Sequence, residues 1–85
     1  MSYRIEFTPS AARAFGKLPG SIQARITPKI DALASNPRPH GVEKMAGNES
    51  RYRVRVGEYR VIYVISDGPR LVTVAVIGHR REVYR

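Results

Sequence analysis

The sequence predicts an α+β fold in which one strand and two helices precede a three-stranded antiparallel meander, with both helices packed on one sheet face. Three observations carry this. An alternating apolar and polar run opens the chain, two stretches with apolar residues at helical spacing follow, and residues 51–77 are rich in Val, Ile, Tyr and Arg with two turn signals. Helices gathered ahead of hairpin-linked strands belong to an α+β layer rather than to alternating βαβ units.

The first strand is read from Tyr3, Ile5 and Phe7, which alternate with Arg4 and Glu6 in the period-2 pattern of a half-buried strand. A helix follows at once: Thr8 suits the N-cap, and Pro9 suits the first helical position, where its missing N–H costs nothing. Ala11, Ala14, Phe15 and Leu18 share one face of it, and Pro19-Gly20 closes it. Ser21 is a second N-cap candidate, after which Ile22, Ile26, Ile30 and Leu33 form an apolar stripe. Pro28 interrupts this helix. An interior proline removes one backbone hydrogen bond and crowds the carbonyl four residues earlier, so a kink near Arg25 to Thr27, or a full break, is expected. The helix should stop at Asn36-Pro37, and residues 37–48, with their breakers and no period, read as a surface connection.

Gly57-Glu58 has the form of a two-residue type II′ hairpin turn. Val56 then faces Tyr59, Arg55 faces Arg60 and Val54 faces Val61. This register sorts side chains by face: Tyr52, Val54, Val56, Tyr59, Val61, Tyr63 and Ile65 line one side, whereas Arg51, Arg53, Arg55 and Arg60 share the other with Ile62 and Val64. Asp67-Gly68-Pro69 marks the next turn. Leu71 to Ile77 is apolar enough along its length to be a central strand buried on both faces.

Eighty-five residues suffice for one compact domain, here 1–85, which buries roughly 60–65% of its unfolded surface. With no cysteine and two histidines, His40 and His79, neither a disulfide framework nor a metal site is expected, and no cofactor is called for. Met1 to Phe7 is polar and strand-like, and no apolar run approaches the ~18 residues of a membrane span. The expectation is a cytoplasmic protein without membrane contact.

Charge narrows the function. Fifteen Lys and Arg against seven Asp and Glu leave a formal charge of +8, and twelve of the fifteen cations are Arg. The planar guanidinium fork pairs with phosphate in bidentate fashion, whereas plain solubility is as well served by Lys. Like charges directly opposite across a strand pair repel, and nothing next to the four arginines in sequence carries enough carboxylates to neutralise them. A polyanion is therefore the expected partner, the alternative being an exposed strand kept soluble by charge.

The ending Gly78-His79-Arg80-Arg81-Glu82-Val83-Tyr84-Arg85 is the most specific stretch. Together with Phe7-Thr8-Pro9-Ser10-Ala11, Lys17-Leu18-Pro19, Asn36-Pro37-Arg38-Pro39 and Tyr59-Arg60-Val61-Ile62-Tyr63, it resembles the RelE/ParE toxin superfamily over almost the whole chain. The ending and the Tyr59–Tyr63 strand point to the RNA-cleaving RelE branch more than to the gyrase-inhibiting ParE branch. The resemblance implies an endoribonuclease that enters the ribosomal A site, cuts mRNA there without metal, and is held inactive by a co-expressed antitoxin. It assigns Arg60 to phosphate binding and transition-state stabilisation, Arg80 to protonation of the leaving 5′ oxygen, and Tyr84 to stacking on or orienting the substrate.

Arg53 and Arg55 stand where well-studied members carry lysines, one of them the general base for the 2′-hydroxyl proton. Arginine is a poor base, since its pKa lies above about 12. Catalysis would then rest on in-line orientation of the 2′-oxygen and on stabilising the pentacovalent phosphate, still giving a 2′,3′-cyclic phosphate. His79 ranks second as a base, because an unperturbed imidazole titrates near neutrality, and Glu82 reads as an ion-pair partner of neighbouring arginines. Arg51, His79 and Arg81 are candidate substrate contacts. Arg13, Lys17, Arg25 and Lys29 on the helices are either ribosomal RNA contacts or solvated surface. An acidic, wrapping antitoxin segment would suit the arginine face. A gyrase-directed toxin, a non-catalytic RNA- or ribosome-binding module and an inactive remnant remain as alternatives.

Overall fold

The computed structural model describes residues 2–47 and 50–83, with side chains as far as Arg81. Its elements are β1 (Arg4–Phe7), α1 (Pro9–Gly16), α2 (Gly20–Ala32), β2 (Glu43–Lys44), β3 (Arg51–Val56), β4 (Tyr59–Ser66), β5 (Leu71–His79) and α3 (Arg80–Val83). The five strands form one sheet in the order β1-β5-β4-β3-β2. β1 runs parallel to β5 and all other pairs are antiparallel. The α+β class and the predicted meander are thus both present.

Local chemistry explains the first helix. The Thr8 hydroxyl accepts the Ala11 N–H at 3.1 Å, and Pro9 occupies the first turn as expected. The second helix departs from expectation at both ends. It begins at Gly20 after Pro19, with no side-chain cap from Ser21, and ends at Ala32, four residues before Asn36. It continues through Pro28 without a break. Ile26, Ile30 and Leu33, just beyond the helix, are buried in the core, so packing of the apolar stripe outweighs the bond lost at proline.

The 37–48 stretch contains a short edge strand where a plain loop was expected: Glu43 pairs with Arg53 and Lys44 with Tyr52. A two-residue strand is too short to show a period. The β3–β4 register is the predicted one, and Gly57, at φ +60° with no positive φ at Glu58, fits the type II′ turn. Tyr52, Val56, Val61, Tyr63 and Ile65 then pack with Val72, Val74 and Ile77 against Ala11, Ile26, Ile30 and Leu33. Tyr63 is fully buried, stacks on Tyr52 at 5.9 Å, and donates its hydroxyl to the Pro37 carbonyl at 2.8 Å.

β5 is central in position but not buried on both sides. Val72, Val74 and Ile77 are buried, whereas Leu71, Thr73, Ala75 and Val76 are half-exposed. The alternation breaks because Ile62 pairs with Val76 while Tyr63 pairs with Val74, leaving Ala75 as a bulge. The Thr8 hydroxyl donates to the Ala75 carbonyl at 3.2 Å, so the residue that caps α1 also secures the bulge. Beyond it the face parity of β5 inverts, and Ile77 and His79 turn toward the helices.

Candidate functional site: an arginine-bearing sheet face

The hairpin gathers the four predicted arginines on the sheet face away from the helices. Arg55 stands opposite Arg60, Arg53 opposite Ile62, and Arg51 opposite Val64. Their environments differ, which the sequence did not show. Arg55 is exposed, Arg51 and Arg53 are half-buried, and Arg60 is buried at 7% exposure.

Arg60 is the most constrained of the four. Its Nη1 donates to the carbonyls of Gly57 at 3.1 Å and Tyr59 at 3.0 Å, which ties the guanidinium to the hairpin turn. Its Nε is buried without a hydrogen-bond partner among the described residues, as is Nε of Arg51. A buried charged donor left unsatisfied is costly, and an anion seated on this face relieves the cost.

Counter-charges come from places the sequence did not mark. Glu43 lies directly across from Arg53 and accepts from its Nε at 3.0 Å. Arg80 opens α3, donates its backbone N–H to the Glu58 carbonyl at 2.8 Å, and pairs through Nε with the Glu58 carboxylate at 2.9 Å. Of the four hairpin arginines, Arg53 alone has a carboxylate partner among the described residues, while Glu58 serves Arg80, so the row keeps the shortage of carboxylates that the sequence predicts. Neither contact had a readable signal, because Glu43 sits in an unpredicted strand and Glu58 looked only like a turn residue.

His79 is not part of this surface. Its register partner is Tyr59 while Gly78 pairs with Arg60, so His79 lies on the opposite sheet face. Its ring meets Tyr59 edge to face at 5.6 Å, and its Nδ1 accepts the Arg81 N–H at 3.3 Å. Arg81 is exposed. Tyr84 and the side chain of Glu82 lie outside the described residues.

A second polar cluster lies at the turn end of the sheet. Asp67 accepts from both terminal nitrogens of Arg38, at 3.2 and 2.8 Å, and from the Tyr3 hydroxyl at 2.6 Å. Arg38 Nε also donates to the Tyr52 hydroxyl at 3.0 Å. Arg38 and then Tyr3 hold the Asp67 carboxyl down at about 2. Asp67 in turn raises the Tyr3 hydroxyl above its usual range. The cluster fastens the 36–38 segment to β1 and the β4–β5 turn.

Among the described residues, no three His, Cys, Asp or Glu side chains gather as a metal site, and no helix is long and apolar enough to cross a membrane. The described residues thus present a compact arginine surface on the sheet face away from the helices.

Residues 5–84 match the family model described as ParE toxin of type II toxin-antitoxin system, parDE. The toxin RelE of Mycobacterium tuberculosis is 33% identical over 84 residues, covering 98% of this chain and 87% of that protein. Among solved structures, the isolated E. coli RelE toxin superposes with a TM-score of 0.85 at 25% identity, over 98% of this chain and 92% of that one. RelE in the archaeal RelE–RelB complex from Pyrococcus horikoshii gives 0.83 at 28% identity, over 94% and 97%. The chain belongs to the RelE/ParE toxin superfamily.

Proposed function

We propose that this toxin is a cytoplasmic endoribonuclease that cuts mRNA in the ribosomal A site without metal, and that an antitoxin with an acidic segment holds it inactive by covering the arginine face. The observation that carries the reading is the buried Arg60, fixed to the hairpin turn and flanked by Arg55, with its Nε unmatched by any acceptor among the described residues. Charge that develops on a phosphorane is stabilised best by donors already in place before reaction.

In the proposed step the 2′-oxygen attacks the adjacent phosphorus, the P–O5′ bond breaks, and a 2′,3′-cyclic phosphate and a 5′-hydroxyl result. Arg60 and Arg55 stabilise the phosphorane, Arg51 and Arg53 position the strand, Arg80 supplies a proton to the leaving 5′ oxygen, and Tyr84 stacks on a base. Arg81 adds a phosphate contact beside Arg80. The 2′-hydroxyl proton needs an acceptor that arginine does not provide at neutral pH. We assign it to Glu43, a carboxylate in the same row as Arg53, in place of His79 on the other face. The antitoxin reading is supported by the RelE–RelB complex of the archaeal relative.

Primer extension on mRNA from cells given the protein, or from a translating extract, tests the reading. Cuts inside coding sequence that require translation and vanish in an Arg80→Ala, Tyr84→Ala variant are expected. Growth arrest without cuts would replace it with a gyrase-directed toxin, and a complex with antitoxin that still cleaves at full rate would remove the inhibitory role.

A further inference from the structure

On the helix side of the sheet, a cleft of about 550 Å³ lies between α1 and the ends of β4 and β5. That volume is in the range of small-molecule and nucleotide pockets. Ser10, Arg13 and Lys17 line it from α1, and Tyr59, Ile77 and His79 line it from the sheet. Spacings of three and four residues set the α1 side chains one above another on a single helix face. Tyr59 and His79 are register partners whose rings meet edge to face, so together they offer an aromatic wall.

The charges in this cleft are unbalanced. No carboxylate lines it, and neither Arg13 nor Lys17 has an ion-pair partner among the described residues. The negative end of α1 attracts both cations but offsets only about half a unit charge. Cations beside half-buried aromatic rings suit a phosphate joined to a base, whereas an acidic peptide would engage the cations and leave the rings unused.

The cleft also adjoins the arginine face. Tyr59 and Arg60 are successive residues on opposite sides of β4, and Gly78, the register partner of Arg60, reaches the cleft with no side chain to wall it off. A strand bound on Arg55 and Arg60 enters the cleft by rounding this sheet end past the Arg80–Glu58 pair, where α3 begins.

We propose that the cleft is a second RNA subsite, in which Arg13 and Lys17 hold a phosphate and Tyr59 stacks the adjoining base, with the His79 ring against that base's edge, in the same strand that crosses the arginine face. The proposal rests on the ribonuclease reading above. It gives the helix cations Arg13 and Lys17 a specific role and gives His79 a binding role in place of a basic one.

The test measures binding of a fluorescein-labelled 2′-O-methyl octauridylate, which cannot be cleaved, by anisotropy across a salt series with the full chain. Loss of two phosphate contacts should flatten the slope of log K against log salt by about 1.4 in an Arg13→Ala, Lys17→Ala variant. Both residues are exposed on α1, so the fold should persist, and circular dichroism checks that. Tyr59→Leu should weaken binding by about tenfold with an unchanged slope, and Tyr59→Phe should restore it.

A double variant with the wild-type slope, alongside an Arg55→Ala variant whose slope falls, would overturn the subsite and leave the ribonuclease reading standing. If Arg55→Ala also kept the wild-type slope, the RNA reading itself would fail and the subsite with it. Full binding by Tyr59→Leu, despite weakening in the double variant, would overturn the stacking role of the aromatic wall and with it the cleft as a nucleotide subsite.

Discussion

Replacing Arg60 by lysine keeps the charge and removes the fork, so it separates electrostatic attraction from preorganised geometry. In the native hairpin, Nη1 spans the Gly57 and Tyr59 carbonyls while the side chain is only 7% exposed. An ammonium on the shorter lysine stem can retain one of those bonds. Losing the other at a partly wet turn costs about 1 to 1.5 kcal/mol, which for a domain of this size lowers Tm by roughly 4–12 °C. The variant should therefore fold at room temperature. Cleavage should suffer more, because the Nε donor that has no partner among the described residues is removed outright. Deleting one preorganised donor to a developing oxyanion lowers rates by about 10²- to 10³-fold, or roughly 2.7–4 kcal/mol. The assay is single-turnover cleavage of mRNA on programmed ribosomes at saturating toxin, with ribosome affinity measured separately. A rate within threefold of wild type, together with the lowered Tm, would refute the reasoning and reduce Arg60 to a clamp on the turn.

Tyr63→Phe removes the donor to the buried Pro37 carbonyl and should cost about 1–3 kcal/mol in urea unfolding. Burial pushes the Tyr63 hydroxyl up to about 12, so its stabilising contribution is complete below the ordinary tyrosine value near 10 and is lost as pH rises from there through about 12. The Phe variant should lack that alkaline loss. Gly57→Ala places a Cβ at positive φ, 2.9 Å from a nitrogen of Arg25. The side chain can swing aside but the backbone cannot relax, so thermal unfolding should show a loss of about 1–2 kcal/mol, with a smaller loss for Gly57→Asn. Asp67, held down at about 2 by Arg38 and Tyr3, contributes stability that is present above the ordinary carboxylate range and disappears as pH falls through about 2. Urea midpoints measured from pH 5 to pH 2 should fall in the wild type and change less in Asp67→Asn.

The two sheet faces explain how so small a chain accommodates both a core and a cationic surface. Tyr52, Val56, Val61 and Tyr63 occupy the inward positions of β3 and β4 and pack under the helices, which leaves the outward positions of the same strands to Arg51, Arg53, Arg55 and Arg60. A one-residue slip would exchange the faces, burying four arginines and exposing the core. The Gly57 turn that prevents this slip therefore decides which face the arginines occupy.

The sequence by itself determined the features governed by short-range rules. Turn chemistry at Gly57-Glu58 sets the hairpin register, period-2 alternation sets the face of every residue in it, and Thr8-Pro9 sets the start of α1. The arginine row was legible for that reason, before any tertiary contact was known. Tertiary structure alone decided what each arginine touches. Arg53 meets Glu43 across an edge strand too short to show a period, and Arg80 meets Glu58 beside the Tyr59–His79 register pair, from a different strand. The side of the sheet that His79 occupies depends on a bulge at Ala75 stabilised by Thr8, 67 residues earlier in the chain. Local propensity cannot encode such contacts, because their energy exists only once distant segments have been brought together by burial of the shared core.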